Sequence, residues 1–187
     1  MARSDDIYSL PADLPVPEDD GAADHLPGME LPALALPSTA GGELRLDQVE
    51  GLTVLFCYPR TGRPEEELPP GWNAIPGARG CTPEACGFRD RDEQFAELGA
   101  RVLALSTQES AYQHELAERI QLPFPVLSDE RLQLVDALRL PTFEISGWTL
   151  TKRLTLVIRD GRIEHVFYPV FPPDSHAAEV LRWLRRS

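Results

Sequence analysis

The most constraining feature of this sequence is a continuous apolar, β-rich run from Leu52 to Tyr58, which Pro59 ends. An uninterrupted run of this kind is typical of a strand that is buried on both faces of a sheet. It is also the longest apolar run in the chain, and it is much too short to span a bilayer. The sequence therefore predicts a central, doubly covered strand rather than a membrane segment.

Strand and helix patterns alternate after that run. In chain order they predict a helix over 81–98, a strand over 101–106, helices over 108–121 and 129–140, strands over 153–159 and 162–168, and a last helix from 174. Asp160-Gly161 is a hairpin-turn signal between the last two strands. This order predicts an α/β fold, a thioredoxin-like sandwich with a central mixed β-sheet flanked by helices.

Charge and proline divide the chain into two parts. We expect residues 1–28 to form a flexible, acidic, proline-rich leader and residues 29–187 to form one folded domain. The first 30 residues hold eight carboxylates against one arginine, so they carry −7 of the net charge of −12. Neither part offers a basic surface, which argues against nucleic-acid or anionic-membrane partners.

Residues 60–80, called the inserted loop below, contain four prolines and four glycines and match neither a strand nor a helix. A loop of this length in a compact domain is usually functional or disordered. It leads directly to Cys81, so we expect it to lie beside any site that this cysteine forms.

Cys81 and Cys86 lie at the opening of a predicted helix. A helix N-terminus favours a thiolate, which makes Cys81 a candidate nucleophile and Cys86 a candidate partner. On a regular helix their Cα atoms would lie roughly 8–9 Å apart, whereas a disulfide requires less than about 7 Å. A bond between them therefore requires the first helical turn to unwind, or Cys81 to lie outside the helix. Cys57, within the apolar run, is interpreted as a core residue.

The cysteine segment and three other segments resemble the peroxiredoxins, specifically the bacterioferritin-comigratory or Q-type group. The matching segments are Gly80-Cys81-Thr82-Pro83-Glu84-Ala85-Cys86-Gly87-Phe88-Arg89-Asp90, Tyr58-Pro59, Phe124–Asp129 and Ile163–Phe167. The resemblance extends from about Met29 to the last residue. It implies a peroxidatic Cys81, a resolving Cys86 on the same helix, and an Arg153 that polarises the peroxide and stabilises the thiolate.

The same resemblance implies hydrogen peroxide and small organic hydroperoxides as substrates, with a sulfenic acid and a Cys81–Cys86 disulfide as intermediates. It also implies a thioredoxin-like reductant, a monomer, and no metal, haem or flavin cofactor. No apolar targeting segment follows Met1, so a reducing cytoplasm is the expected compartment.

The sequence departs from the family pattern Pro-x-x-x-Thr-x-x-Cys, because Ala74 and Ala78 occupy the proline and threonine positions. Pro59 precedes the inserted loop and Thr61 is its second residue, so most of the loop separates them from Cys81. Our hypothesis is that the loop returns to its origin and leaves these two residues to shape the pocket. The alternative is that backbone N–H groups around Gly80 and Cys81 supply the donors alone. Glu84 is assigned a supporting role at the helix start.

Other readings of the cysteine pair remain open. Cys86 could be a packed helix residue, which would leave a one-cysteine peroxidase. The pair could register peroxide in a sensor or stress-binding protein, or act as a dithiol oxidoreductase on protein disulfides. Zinc binding would need a second pair of ligands, and the four histidines form no local ligand motif.

Overall fold

The computed structural model describes residues 6–187. The strands are β1 (Ala35–Pro37), β2 (Glu43–Arg45), β3 (Leu52–Cys57), β4 (Ala100–Ser106), β5 (Val126–Ser128), β6 (Thr142–Ile145), β7 (Trp148–Thr151), β8 (Leu154–Arg159) and β9 (Arg162–Phe167). The α-helices are α1 (Cys81–Arg89), α2 (Asp92–Glu97), α3 (Ser110–Arg119), α4 (Gln133–Leu138) and α5 (His176–Leu184).

The central sheet has five strands in the order β5-β4-β3-β8-β9. β4 runs parallel to both β3 and β5, whereas β8 is antiparallel to both β3 and β9. The predicted thioredoxin-like sandwich with a mixed sheet is confirmed, and the apolar run forms its middle strand. Pairing of Cys57 with Leu154 brings the end of β3 next to the start of β8.

The sheet divides the core into two layers because side chains alternate along each strand. In β3, Leu55 and Cys57 face one layer with α4, whereas Val54 and Phe56 face the other layer with α1, α2 and α5. Phe56 stacks on Phe88 of α1 with ring centroids 4.3 Å apart. This stack joins the last turn of α1 to the middle of the sheet. Over residues 6–187, no helix is both long enough and apolar enough to cross a membrane.

Two predictions about secondary structure are corrected. The single helix expected over 81–98 is two helices, because the chain turns at Asp90 and Arg91 between α1 and α2. A second hairpin, β6–β7, was not predicted between the fourth helix and β8. The inserted loop is irregular as expected, apart from one 3₁₀ turn at Trp72–Ala74.

The leader packs against the domain over its described residues, 6–28; its first five residues lie outside the described part. Ala23 and Leu26 are buried in the core, and the Gly28 N–H donates to the carbonyl of Ile163 over 2.7 Å. Asp20 forms an ion pair with Lys152. A few apolar side chains thus anchor an otherwise polar segment, and the flexibility of the leader remains a prediction. The domain boundary at residue 28 remains a prediction.

Candidate active site

Cys81 is the first residue of α1 and lies beneath the surface, with 3% of its area exposed. Gly80 precedes it as the N-cap with φ of 104°, a conformation that favours glycine. A Cβ at Gly80 would lie 2.5 Å from Pro173 and 2.6 Å from Leu10, so only glycine fits between them. The start of the helix is thus held from two sides, by the leader and by the loop before α5.

Arg153 connects the thiol to the rest of the site. It immediately precedes β8, and its Nη2 atom donates to the Sγ atom of Cys81 over 3.1 Å. Its Nη1 atom donates to the carboxylate of Glu84, which is fully buried. The remaining hydrogen bonds go to the carbonyls at the end of the inserted loop, those of Gly77, Ala78 and Arg79, at 3.2–3.3 Å. One guanidinium therefore positions the thiol, the carboxylate and the loop end together.

The charges of this buried group oppose one another. Burial raises the pKa of the Cys81 thiol, the Arg153 guanidinium lowers it, and the Glu84 carboxylate raises it. A hydrogen bond from the backbone amide of Arg60 also lowers that pKa. Burial likewise raises the pKa of Glu84, against the effect of Arg153. Thiolate formation therefore depends on the Arg153 guanidinium, which the sulfur shares with a carboxylate, and on the Arg60 amide.

Thr61 lies beside Cys81 although the inserted loop separates them in sequence. Both residues line one cavity of about 20 Å³, called the thiol cavity below. The Thr61 hydroxyl donates to the side-chain oxygen of Gln108 over 3.2 Å, and the Thr61 amide donates to the same oxygen over 2.9 Å. Pro59 is buried directly after β3 but does not line the cavity. The inserted loop thus leaves and returns, as the hypothesis requires for Thr61.

The thiol cavity is small and covered. A volume of about 20 Å³ is room for one molecule of about the size of water. Ile7 of the leader, with 9% of its area exposed, contributes to the wall together with Leu68 and Trp72 of the inserted loop. Arg79 lies in the same wall and donates to the backbone carbonyl of Asp6 over 2.7 Å. The leader and the inserted loop therefore form the cover of the site.

Cys86 is a free, half-buried thiol on the same helix. Both cysteines lie within the regular α1, so the unwinding that the sequence predicts for a disulfide would have to break this helix. Gly87 packs closely on the loop before α5, because a Cβ there would lie 3.2 Å from the Asp174 carbonyl. Burial raises the pKa of Cys86. In this state of the protein Cys86 is not poised to attack.

The remaining site predictions concern single residues. Cys57 is completely buried in the core, and burial raises its pKa, which agrees with its interpretation as a core residue. Among the described residues, no three histidine, cysteine or acidic side chains are grouped as metal ligands.

Sequence reasoning missed two contributors to the site. Gln108 follows β4 and holds Thr61 through three hydrogen bonds, but a single glutamine carries no sequence signal. Ile7 belongs to the acidic, proline-rich leader, which has no periodic apolar pattern, so its place over the thiol was not expected. Tyr58 ends the apolar run and lies in a segment of the resemblance, but no role in the site was predicted for it; its hydroxyl is buried near Ser106 and Thr61. Burial raises the pKa of that hydroxyl.

Comparison with known proteins places this geometry in context. The Redoxin family model matches residues 26–181. The peroxiredoxin Bcp of Escherichia coli K12 is 31% identical over 159 residues, covering 82% of this chain and 92% of the relative. The chloroplastic peroxiredoxin Q of Oryza sativa subsp. japonica is 30% identical over 84% of this chain, which spans 66% of that relative's length. The crystal structure of the peroxidoxin BcpB from Mycobacterium tuberculosis superposes with a TM-score of 0.68 at 30% identity, covering 87% of this chain and 98% of that one.

Proposed function

Because this chain belongs to the Redoxin family, among the peroxiredoxins of the Q and Bcp type, we propose that it is a thiol peroxidase with Cys81 as its nucleophile. The observation that carries the proposal is the 3.1 Å contact between Arg153 Nη2 and Cys81 Sγ beside a cavity of molecular size. A fixed cation at the sulfur is what the reaction requires, since negative charge develops on the departing oxygen.

The first step oxidises the sulfur. The Cys81 thiolate attacks one oxygen of the peroxide, an S–O bond forms, and the O–O bond breaks. The sulfur loses two electrons and becomes a sulfenic acid, while the departing oxygen takes a proton and leaves as water or an alcohol. The Arg153 guanidinium, already next to the sulfur, stabilises the charge without reorganisation, and Thr61 offers a hydroxyl in the same cavity.

The second step links the two cysteines. Cys86 attacks the sulfenic sulfur, an S–S bond forms, and water leaves. This step requires the first turn of α1 to unwind, because both thiols lie within the helix. An external dithiol then reduces the disulfide by thiol–disulfide exchange. We propose a thioredoxin-like protein as that dithiol, a monomeric enzyme, and a reducing cytoplasm as its compartment; these three expectations come from the sequence.

The test is a time course of intact mass for the fully reduced protein with one equivalent of hydrogen peroxide, followed by peptide mapping. The expected result is rapid loss of two hydrogens, mapped to a link between Cys81 and Cys86. Oxygen addition at Cys81 without a link would keep the peroxidase but remove the resolving role of Cys86. A rate no faster than that of an ordinary exposed thiol would overturn the proposal.

Turnover distinguishes the enzyme from the other classes. With a thioredoxin-like dithiol in excess, the enzyme consumes many equivalents of peroxide, whereas a sensor reacts once. A dithiol oxidoreductase would reduce insulin and leave peroxide unchanged. Cys57→Ser is the matched control in the turnover assay. It should keep the peroxide turnover of the wild type, because Cys57 is buried in the core on the other face of the sheet.

A further inference from the structure

A second cavity adjoins the thiol cavity and is built mainly by the inserted loop. It measures about 270 Å³ and is called the side compartment below. Seven of its eight lining residues belong to the loop, and the eighth is Trp148. Those seven are Arg60, Gly62, Glu66, Glu67, Leu68, Pro69 and Trp72. The segment that interrupts the family pattern thus encloses space next to the nucleophile.

The two cavities share part of their walls. Arg60, Gly62, Leu68 and Trp72 line both the thiol cavity and the side compartment. A molecule whose reacting oxygens enter the first therefore has space for its other end in the second. The thiol cavity alone holds about one water-sized molecule, so a larger substrate needs that additional space.

Part of the wall of the side compartment is apolar and is formed by Leu68, Trp72 and Trp148. Trp72 is 3% exposed and packs in a small core with Ala78 and Leu150. Trp148 is 40% exposed, and the Arg60 guanidinium lies 4.1 Å from its ring centroid. Together with Leu68 these rings offer a surface that gains free energy when it covers an apolar group. The site is preformed, which reduces the entropy lost on binding.

The acidic side chains that line the side compartment restrict the charge of the ligands it can bind. Glu66 and Glu67 line it as exposed side chains, against the one guanidinium of Arg60. Glu66 is held in place, since it accepts a hydrogen bond from the Tyr112 hydroxyl and forms an ion pair with Arg63. Two carboxylates disfavour an anionic tail. The compartment therefore fits a neutral group.

We propose that the side compartment binds the organic substituent of a neutral hydroperoxide with a compact apolar or aromatic group, and that the inserted loop thereby sets substrate preference. The proposal rests on the proposed peroxidase function of Cys81. In the reaction the substituent stays in the compartment while the O–O bond breaks, and it leaves with the product alcohol. Cumene hydroperoxide is a suitable probe because its phenyl-bearing substituent is neutral and compact.

Gly62 provides a direct way to fill the space where the two cavities share a wall. It lines both cavities, and its backbone is outside the left-handed region, so a side chain is not strained there. A Cβ at this position would meet only Ile7 and Leu68, at 3.8 and 3.9 Å. A Gly62→Leu substitution should therefore fit locally while filling the junction between the compartments. Glu65→Ala is the matched control, because Glu65 is exposed in the same loop and lines neither cavity.

The experiment compares kcat/KM for cumene hydroperoxide with kcat/KM for hydrogen peroxide in the full chain. We expect the ratio to fall at least tenfold in Gly62→Leu and to stay at the wild-type value in Glu65→Ala. An unchanged ratio in a folded Gly62→Leu variant would overturn this proposal alone. If the wild type turns over neither peroxide, the proposed function fails, and this inference fails with it.

A binding measurement keeps the test independent of the variant's folding. The product alcohol 2-phenylpropan-2-ol, added to the unmodified protein, should change its tryptophan fluorescence, because Trp72 and Trp148 line the compartment. Substitution of Trp148 by Phe should reduce that change by at least half. Absence of any saturable change in the wild type, with hydrogen peroxide turnover intact, would show that the compartment does not hold the substituent.

Discussion

The Nη2 atom of Arg153 lies 3.1 Å from the Sγ atom of Cys81, although 72 positions separate the two residues in the sequence. The contact exists because β8 pairs antiparallel with β3, which brings the start of β8 to the strand end where the thiol cavity lies. The same guanidinium binds Glu84 and three carbonyls of the inserted loop. Its position is therefore fixed before any substrate arrives.

Substitution of Arg153 should slow the oxidation of Cys81. The guanidinium lowers the pKa of that thiol, so Arg153→Gln raises it and shifts the pH–rate profile to higher pH. We expect the second-order rate with peroxide to fall by about 10²–10³-fold, the range for loss of one preorganised donor. Arg153→Lys keeps the positive charge but loses the planar, forked geometry of the guanidinium. Its pH–rate profile should therefore shift less than that of Arg153→Gln. Stopped-flow rates across pH measure both effects, and an unshifted profile in Arg153→Gln would contradict the role.

Glu84→Gln should have the opposite effect on the thiol. The Glu84 carboxylate raises the pKa of Cys81, so its neutral replacement lowers that pKa. Burial also raises the pKa of Glu84 itself. The folded state therefore binds this proton more tightly than the unfolded state, and this group makes stability fall as pH rises above its ordinary pKa.

The Glu84→Gln variant lacks that dependence. Above the ordinary glutamate pKa of about 4.3, its free energy of unfolding should therefore decline less with pH than that of the wild type. Thiolate absorbance against pH and urea unfolding at several pH values measure the two effects. An unchanged or higher thiol pKa would show that Glu84 does not compete for Arg153.

Gly80→Ala should destabilise the protein by two separable effects. The left-handed conformation costs alanine about 1–2 kcal/mol, and overlap with Pro173 and Leu10 adds about 1–3 kcal/mol. Gly41→Ala is the matched control, because its φ is 97° and a Cβ there would meet nothing within 4 Å. Urea unfolding should show a larger loss for Gly80→Ala than for Gly41→Ala. Equal losses would mean that Leu10 and Pro173 do not confine the helix start.

Thr61→Val should reduce peroxide turnover by about tenfold or more while the fold survives, since a hydroxyl in the thiol cavity is replaced by a methyl group. The lost hydrogen bond to Gln108 should cost about 1 kcal/mol of stability. Thr61→Ser restores the hydroxyl and should recover most of the rate. Steady-state kinetics and thermal unfolding compare the wild type, Thr61→Val and Thr61→Ser. An unchanged rate in Thr61→Val would mean that backbone N–H groups alone donate hydrogen bonds to the peroxide.

Acid should loosen the leader through Asp20. Hydrogen bonds from Lys152 and Tyr168 hold the pKa of Asp20 below its ordinary value. Its contribution to stability is therefore present above the ordinary Asp pKa of about 3.9 and is lost as pH falls below it. In Asp20→Asn, amides of the leader should exchange faster than in the wild type at neutral pH, and the difference should shrink in acid. A difference that persists in acid would exclude this carboxylate as the cause.

The elements that could be predicted from sequence are those whose signal is local. The apolar run of β3 indicates a buried strand by itself, and the cysteine segment indicates the nucleophile because its residues are contiguous. The β6–β7 hairpin carries a local signal that was overlooked, because polar and apolar residues alternate in Thr142–Ile145 and Trp148–Thr151 on either side of Ser146-Gly147. The packed leader was missed because its anchors, such as Leu26, are single apolar residues among prolines and acids.

The arrangement of the site was less predictable than its members. Arg153 was nominated by resemblance, but its simultaneous contacts with Cys81 and Glu84 depend on strand register and on the start of α1. Thr61 required the inserted loop to return to its origin, which no local pattern indicates. These relationships are tertiary, and only the folded chain displays them.

The cover over Cys81 consists of loop segments that contribute no strand to the central sheet. Irregular surface segments accept substitutions and changes of length more readily than strands do. Residues such as Ile7 and Leu68 can therefore vary while the thiol, the guanidinium and the sheet that holds them stay constant. In evolutionary terms, the residues that perform the reaction are separate from the residues that admit the substrate. A change of peroxide substrate therefore requires substitutions in the cover alone.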